Sequence, residues 1–311
     1  MRNRRGFALM AALWLVVLIG ITGYELSVRS RVRRLAIANT LEEGPARAAA
    51  DAAVETIESD LAFRLAHVPT NPLGDPWSID SSRYRDTLHL GDERARVNVE
   101  DAGAKLQLNR ASEDDIRRLL VALRVDAREA DHLAQCIMDW RDADDLRRAS
   151  GAERDEYVKA RARVLPANAD FAAVGDLKNV AGVTPDLYAR VAGYVTVYGS
   201  GQVNVNAAPR VVLQSLPGLT EETIDVLLAA RSSSRPLRSL DELSQRVTSG
   251  SRAALADAGA ELASRAVFDT REILVDADGW LAGSPMHAHV VALAQRNGDA
   301  VTIAWRRRVD E

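Results

Sequence analysis

A single cysteine, Cys136, leaves the chain without a disulfide of its own. It lies in the apolar stretch Leu133 to Met138 and reads as a core residue, because no histidine with Asn or Asp accompanies it to make a nucleophile. Aromatic residues are sparse at 5%, although a 47% apolar fraction still allows a real core. Charge of one sign is also lacking: the net value of -4 gives neither a basic nucleic-acid surface nor an acidic tail. Glycine-rich phosphate loops are absent, and Ser200-Gly201 and Ser249-Gly250 lack the context of a nucleophile elbow. His287 and His289 share a strand face without a third ligand nearby, which is the pattern of edge residues rather than of a zinc site. No nucleophile, base and oxyanion set can be assembled from these motifs, so a structural or interaction protein is expected rather than an enzyme.

What is present is concentrated at the amino terminus. Arg2, Arg4 and Arg5 stand directly before Gly6, and an apolar run follows from Phe7 to Tyr24. As a helix this run spans about 27 Å, roughly one hydrocarbon core. The basic end is expected in the cytoplasm and the rest of the chain on the exported side. The run is too long for an ordinary signal-peptide apolar region, and Tyr24-Glu25 leads into more helical sequence instead of a small-residue cleavage site. A plain signal-anchor would fit these features too. The position of Gly6, between the charges and an aromatic residue that opens the run, resembles the leader of type IV pilins and type II secretion pseudopilins. That resemblance implies cleavage between Gly6 and Phe7 by a prepilin peptidase and N-methylation of Phe7. Pilins of this group place a glutamate at the fifth residue after the cut, where it meets the amino terminus of a neighbouring subunit; here that residue is Ala11. A carboxylate within a bilayer is costly unless paired, and a tip subunit has no such partner, so the resemblance makes Ala11 a mark of filament register.

Apolar and small residues recur at helical spacing from Arg29 to Ala66, with Gly44-Pro45 expected to kink or interrupt the helix. Pro69, Pro72, Gly74 and Pro76 mark a loop. Arg94 to Leu108 reads as a hairpin turning at Asp101-Ala-Gly103, Val267 to Val275 as a looser strand, and His287 to Arg308 as two strands around Asn297-Gly298. Between the strand groups nearly everything reads as helix. The expected fold class is α+β: a pilin-like long amino-terminal helix packed on a small antiparallel sheet, with a large inserted all-helical domain containing helix-hairpin-helix or SAM-like repeats. The expected segments are a leader (1–6), a transmembrane half-helix (7–24), an exported half-helix (25–66), first strands (67–110), the helical insertion (111–264) and last strands (265–311).

The repeat is carried by Val180-Ala-Gly182-Val-Thr184 and Leu216-Pro-Gly218-Leu-Thr220, each followed by a helical run. Glycine supplies the tight backbone and threonine caps the next helix. With Val203-Asn-Val-Asn206-Ala-Ala-Pro209, the second copy also resembles membrane-anchored helix-hairpin-helix DNA receptors. Such hairpins hold phosphate by backbone amides with cations nearby. From Val203 to Val247, however, arginines 210, 231, 235, 238 and 246 are balanced by Glu221, Glu222, Asp225, Asp241 and Glu242. An electrostatic grip on nucleic acid is therefore not expected.

Asp142, Asp144, Asp145 and Glu153 offer hard oxygen ligands in a loop with Gly151, a set that suits calcium. The loop is not a twelve-residue calcium loop, because Arg147 stands where that motif needs glycine. Ion pairs with Arg141, Arg147, Arg148 and Arg154, or a solvated acidic face, are the alternatives. Asp139-Trp-Arg-Asp142, Gly151-Ala-Glu153 with Tyr157, Gly182-Val-Thr184 and Val203 to Pro209 run in the order seen in the general secretion pathway protein K family, and the chain resembles that family over nearly its whole length. The resemblance implies calcium in the inserted domain, and a tip position in the type II secretion pseudopilus that supports its initiation and the export of folded proteins. It also implies the minor pseudopilins I and J, the inner-membrane secretion platform, the prepilin peptidase and secreted substrates as partners. The place implied is the bacterial inner membrane, single-pass, with the globular part in the periplasm. A minor pilin of a type IV pilus is the near alternative.

Overall fold

The computed structural model describes residues 4–67 and 87–309 apart from 234 and 299, with the side chains of 4–12 and 35–40 outside the description. The proline-rich loop expected around Pro69 to Pro76 lies outside the described residues. The first element is a single helix, α1 (Arg4–His67), of 64 residues. It contains Pro45 and is not interrupted there: of the two effects expected of that proline, a kink or a break, the break does not occur, and the long amino-terminal helix is continuous. Proline costs a helix interior about 3 kcal/mol, and the packing of the following turns offsets this. Ala46, Ala49, Ala50, Ala53, Val54, Ile57 and Leu61 are all fully or almost fully buried.

They pack on a five-stranded antiparallel sheet of β1 (Leu88–Leu90), β2 (Glu93–Asp101), β7 (Glu272–Leu281), β8 (His287–Asn297) and β9 (Ala300–Val309) in the order β1-β2-β7-β8-β9. The inner face is built of Ala95, Val97, Val99, Ile273, Val275, Ala277, Val290, Ala292 and Ala294. Period-two alternation places these on one side of the pleat. Small side chains let helix and sheet approach closely, and the approach is closest at Gly279. A Cβ there would lie 2.4 Å from both the Ala46 carbonyl oxygen and the Ala50 nitrogen. The β8–β9 hairpin pairs Asn297 with Ala300 and has Gly298 at φ +64°, as a tight turn requires.

Between β2 and β7, which pair directly, the chain leaves the sheet for its helical part. This comprises α2 (Glu113–Ala122), α3 (Ala127–Arg141), α4 (Arg154–Lys159), α5 (Pro185–Val191), α6 (Arg210–Leu213), α7 (Glu221–Ser232), α8 (Leu240–Gln245) and α9 (Ser249–Arg265) around one apolar core. The expected hairpin from Arg94 to Leu108 does not form. A 3-10 turn, Ala102–Ala104, ends β2, and β3 (Leu106–Gln107) pairs in parallel with β4 (Val195–Thr196). A second short parallel pair joins β5 (Val203–Asn204) to β6 (Ala266–Val267). The looser strand expected from Val267 to Val275 is divided as well: β6 ends at Val267, and β7 starts at Glu272 and runs on to Leu281.

A buried polar knot closes the base of the helical part. Asn204 Nδ2 donates to Asp101 Oδ2 at 2.7 Å and to Thr270 Oγ1 at 3.2 Å, while the Thr270 hydroxyl donates to the same carboxylate at 2.8 Å. Asp101 Oδ1 accepts from Gly103 N at 2.8 Å. Asn206 Nδ2 donates to the carbonyls of Leu237 and Phe268, each at 2.7 Å. The two asparagines of the Val203 to Pro209 motif therefore tie both crossings of the insertion together.

Candidate functional site: a carboxylate loop on α3

The amphipathic α3 buries Ala130, Leu133, Ala134, Ile137 and Trp140, and Asp126 caps its start by accepting from Arg128 N at 2.9 Å. Its last turn delivers Asp139 into the interior and ends at Asp142. Trp140 packs between Tyr157 and Phe171, with ring centroids 5.9 and 6.1 Å away, which anchors the loop on both sides. Asn168 holds the loop from outside: its Nδ2 donates to the Asp144 carbonyl at 3.1 Å and to Asp145 Oδ1 at 3.0 Å.

Asp142, Asp144 and Glu153 converge, each offering one oxygen within 4.8 Å of the others. Asp145 does not join them, because its carboxylate is turned to Asn168. Asp139, not expected among the ligands, and Arg148, one of the expected counter-charges, organise the group. Asp139 is wholly buried and accepts from Arg148 Nη1 at 2.6 Å; the same Nη1 bonds Asp142 Oδ2 at 2.5 Å. Arg148 thus takes one oxygen of Asp142 and leaves Oδ1 buried with no hydrogen-bond partner. Of the other arginines weighed as counter-charges, Arg141 turns to the carbonyls of Leu108 and Ala111, and Arg147 lies 3.9 Å from Glu156. The Asp139 signal was its i, i+3 spacing from Asp142 at a helix end, which puts both carboxylates on one side. Gly151 is required by the same geometry, since a Cβ would lie 2.0 Å from Asp139 Oδ2.

Glu153 is 3% exposed, and neither of its oxygens has a hydrogen-bond partner. Burial raises its pKa to about 7, and the charges of Asp139, Asp142 and Asp145 push in the same direction. A buried carboxylate in this state is either protonated or in need of a cation. The orphaned oxygens of Asp142 and Glu153, together with Asp144, form an all-oxygen set that fits a hard divalent ion. Cys136 is no competing ligand: burial, followed by the charge of Asp139, pushes its thiol up to about 12.

The two glycine–threonine hairpins face inward. Gly182 (φ +82°) lies against Leu133 and His132, and Gly218 (φ +72°) is so close to α9 that a Cβ would come within 2.4 Å of the Ala258 Cβ. Thr184 and Thr220 cap α5 and α7 as expected, accepting from Leu187 N at 3.2 Å and Thr223 N at 3.3 Å. Glu222 accepts from Thr248 N and Oγ1 and from Ser251 Oγ, locking the second hairpin to the start of α9. Arg210 is held by Glu221 and Asp225. The turn at Gly218 is thus packed against α9, with the nearby Arg210 already engaged by carboxylates. His287 and His289 face separate aspartates across β7, Asp278 at 3.0 Å and Asp276.

A family model described as type II secretion system protein K matches residues 95–200, from β2 through the carboxylate loop to β4. The chain is similar to type II secretion system protein K of Pectobacterium carotovorum, 27% identical over 220 residues covering 66% of this chain and 67% of that one. It is also similar to protein K of Pseudomonas aeruginosa, 26% identical over 245 residues covering 72% of each. By these matches the chain is similar to the type II secretion system protein K family. A chain in the crystal structure of the GspK-GspI-GspJ complex of the enterotoxigenic Escherichia coli type 2 secretion system has the same fold, with a TM-score of 0.62 at 18% identity, covering 91% of this chain and all of that one. The family is one of minor pseudopilins, structural components of the secretion system. Among the described residues one helix segment, Leu13–Arg34, is long and apolar enough to cross a membrane. Gly6, Phe7 and Ala11 belong to the backbone of α1, their side chains being outside the described residues.

Proposed function

We propose that this chain is the tip subunit of the type II secretion pseudopilus, anchored in the inner membrane by the start of α1 with its globular part in the periplasm, and that it acts by assembly and not by catalysis. The observation that carries this reading is a large helical body inserted between two adjacent strands of a pilin-type head. A bulky insertion caps a filament because it obstructs addition of a further subunit. Ala11 supports the same position, since a subunit with nothing above it has no partner for a membrane-embedded carboxylate. The small residues Ala8, Ala11, Ala12, Gly20 and Gly23 allow neighbouring anchors to pack closely. The partners are the minor pseudopilins I and J, the secretion platform and the peptidase that cuts between Gly6 and Phe7, with secreted substrates meeting the helical head. The two hairpins are helix-hairpin-helix-type units that serve internal packing.

We also propose calcium at Asp142, Asp144 and Glu153. When bound, the ion would bridge three carboxylates, one of them already paired with Arg148, and cross-link the end of α3 to the start of α4. Asp139 and Arg148 would position Asp142, and Asn168 would hold the loop.

Amino-terminal sequencing of the membrane-extracted protein should begin at methylated Phe7, and Gly6→Leu should leave the leader in place. The full chain should co-purify with the minor pseudopilins I and J of its own system. An uncut amino terminus, or failure to form any complex with them, overturns the tip assignment.

A further inference from the structure

Past the apolar run that ends at Tyr24, the last turns of the Leu13–Arg34 segment read Arg29-Ser-Arg31-Val-Arg33-Arg34, four arginines in six residues. All four are exposed. Among the described residues the one carboxylate paired with them is Glu25, 3.5 Å from Arg29; Arg34 reaches the Ser30 carbonyl at 3.4 Å. At 3.6 residues per turn the four side chains leave the axis at roughly 0°, 200°, 40° and 140°, within about 7.5 Å of helix length. They form a collar, not a stripe. A neighbouring helix touches one side of α1 and could meet only two of the four. A layer of headgroups surrounds the helix and lies at one depth, so it can meet all of them.

The position also runs against orientation. Basic residues are favoured on the side that stays in the cytoplasm, whereas this collar lies on the far side of the span from Arg2, Arg4 and Arg5. Four cations there oppose insertion unless something on the arrival side compensates them. We propose that Arg29, Arg31, Arg33 and Arg34 bind the phosphate groups of anionic phospholipids in the leaflet on the exported side, fixing the depth of α1 until assembly draws it out. This rests on α1 being the membrane anchor. Guanidinium forks are suited to paired phosphate oxygens, and their long stems can reach back to the headgroup layer.

The test is lipid selectivity of the full chain reconstituted in bilayers, read as the motionally restricted fraction of spin-labelled phosphatidylglycerol against spin-labelled phosphatidylcholine. A basic residue at an anionic surface contributes a factor of about five, so phosphatidylglycerol should be preferred about five-fold. The preference should collapse to near one in 0.5 M salt or in the Arg29→Gln, Arg31→Gln, Arg33→Gln, Arg34→Gln variant, and should survive millimolar inorganic phosphate. These exposed side chains pack on nothing, so the variant keeps its fold, as an unchanged melting temperature would show. Equal restriction of both lipids by the native chain overturns the collar. Unchanged selectivity in a variant that no longer co-purifies with the minor pseudopilins overturns it too, in favour of a protein partner. Absence of any restricted lipid would instead refute the anchor itself.

Discussion

Replacing Glu153 with glutamine should stabilise the metal-free chain and at the same time abolish its response to calcium. The carboxyl is 3% exposed, has no hydrogen-bond partner on either oxygen, and holds its proton up to about pH 7 instead of the ordinary 4.5. The folded state therefore binds this proton more tightly than the unfolded chain. Stability from this group is fully present below the unfolded value of 4.5 and is lost as pH rises through the folded value of about 7. The difference is about 3 kcal/mol at pH 8. A bound ion reverses the loss: at a hundred times its dissociation constant calcium contributes about 2.7 kcal/mol. Either change amounts to roughly 5–10 °C in melting temperature for a body of this size. Circular dichroism melts of the full chain in detergent, from pH 4.5 to 8, with chelator or with calcium, separate the terms. In chelator the native chain should lose stability as pH rises and the variant should not; in calcium only the native chain should gain. If the variant is the less stable protein in chelator at pH 8, and calcium leaves the native chain unmoved, Glu153 is a satisfied structural group and the reasoning fails.

Four further substitutions test the close packing and the polar knot. Gly151→Ala puts a methyl against Asp139 and should cost about 1–3 kcal/mol in urea unfolding, with loss of the calcium response. Gly279→Ala drives a Cβ into the backbone of α1 at Ala46 and Ala50 and should cost a similar 1–3 kcal/mol. In that variant, limited proteolysis should cut the second half of α1 faster than the helical part. Asn204→Ala leaves the buried Asp101 carboxylate with one donor fewer, from Asn204, and should lower stability by about 1–3 kcal/mol, measured by the same denaturation, while Asn206→Asp should be worse because it brings a second negative charge to the knot.

Much of this was legible from local chemistry. The α1 face could be read because alanine and aliphatic residues recur at helical spacing, and the β8–β9 turn because Asn297-Gly298 admits few other conformations. The threonine caps of α5 and α7 were legible for the same reason: they depend on a few adjacent residues. What was missed depends on residues far apart in the chain. The expected hairpin at Asp101 fails because that side chain is claimed by Asn204 and Thr270, more than a hundred residues downstream. The end of β7 was hidden because its inner face there is only Ala277 and Gly279, too small to mark a strand, while Asp276 and Asp278 on the other face meet His289 and His287 on the next strand. In the carboxylate loop, composition found the acids but could not rank them. Asn168 withdrew Asp145, and Gly151 made room for Asp139, each through a contact that spacing does not encode.

The knot at the base of the helical part also bears on how the molecule carries force. Its two chain crossings leave the sheet from neighbouring strands, so the insertion begins and ends at almost one point. A body joined in that way can lengthen or lose helices without shifting a strand, which leaves room for relatives to vary the head while keeping the shaft. It also concentrates load. Thrust along α1 would enter the sheet through the tight contact at Gly279 and reach the head at this base, through the Asp101–Asn204–Thr270 junction and the nearby contacts of Tyr198 with Trp305 and of Ser200 with Glu272, so the base of the insertion is where a pushing filament would first show wear.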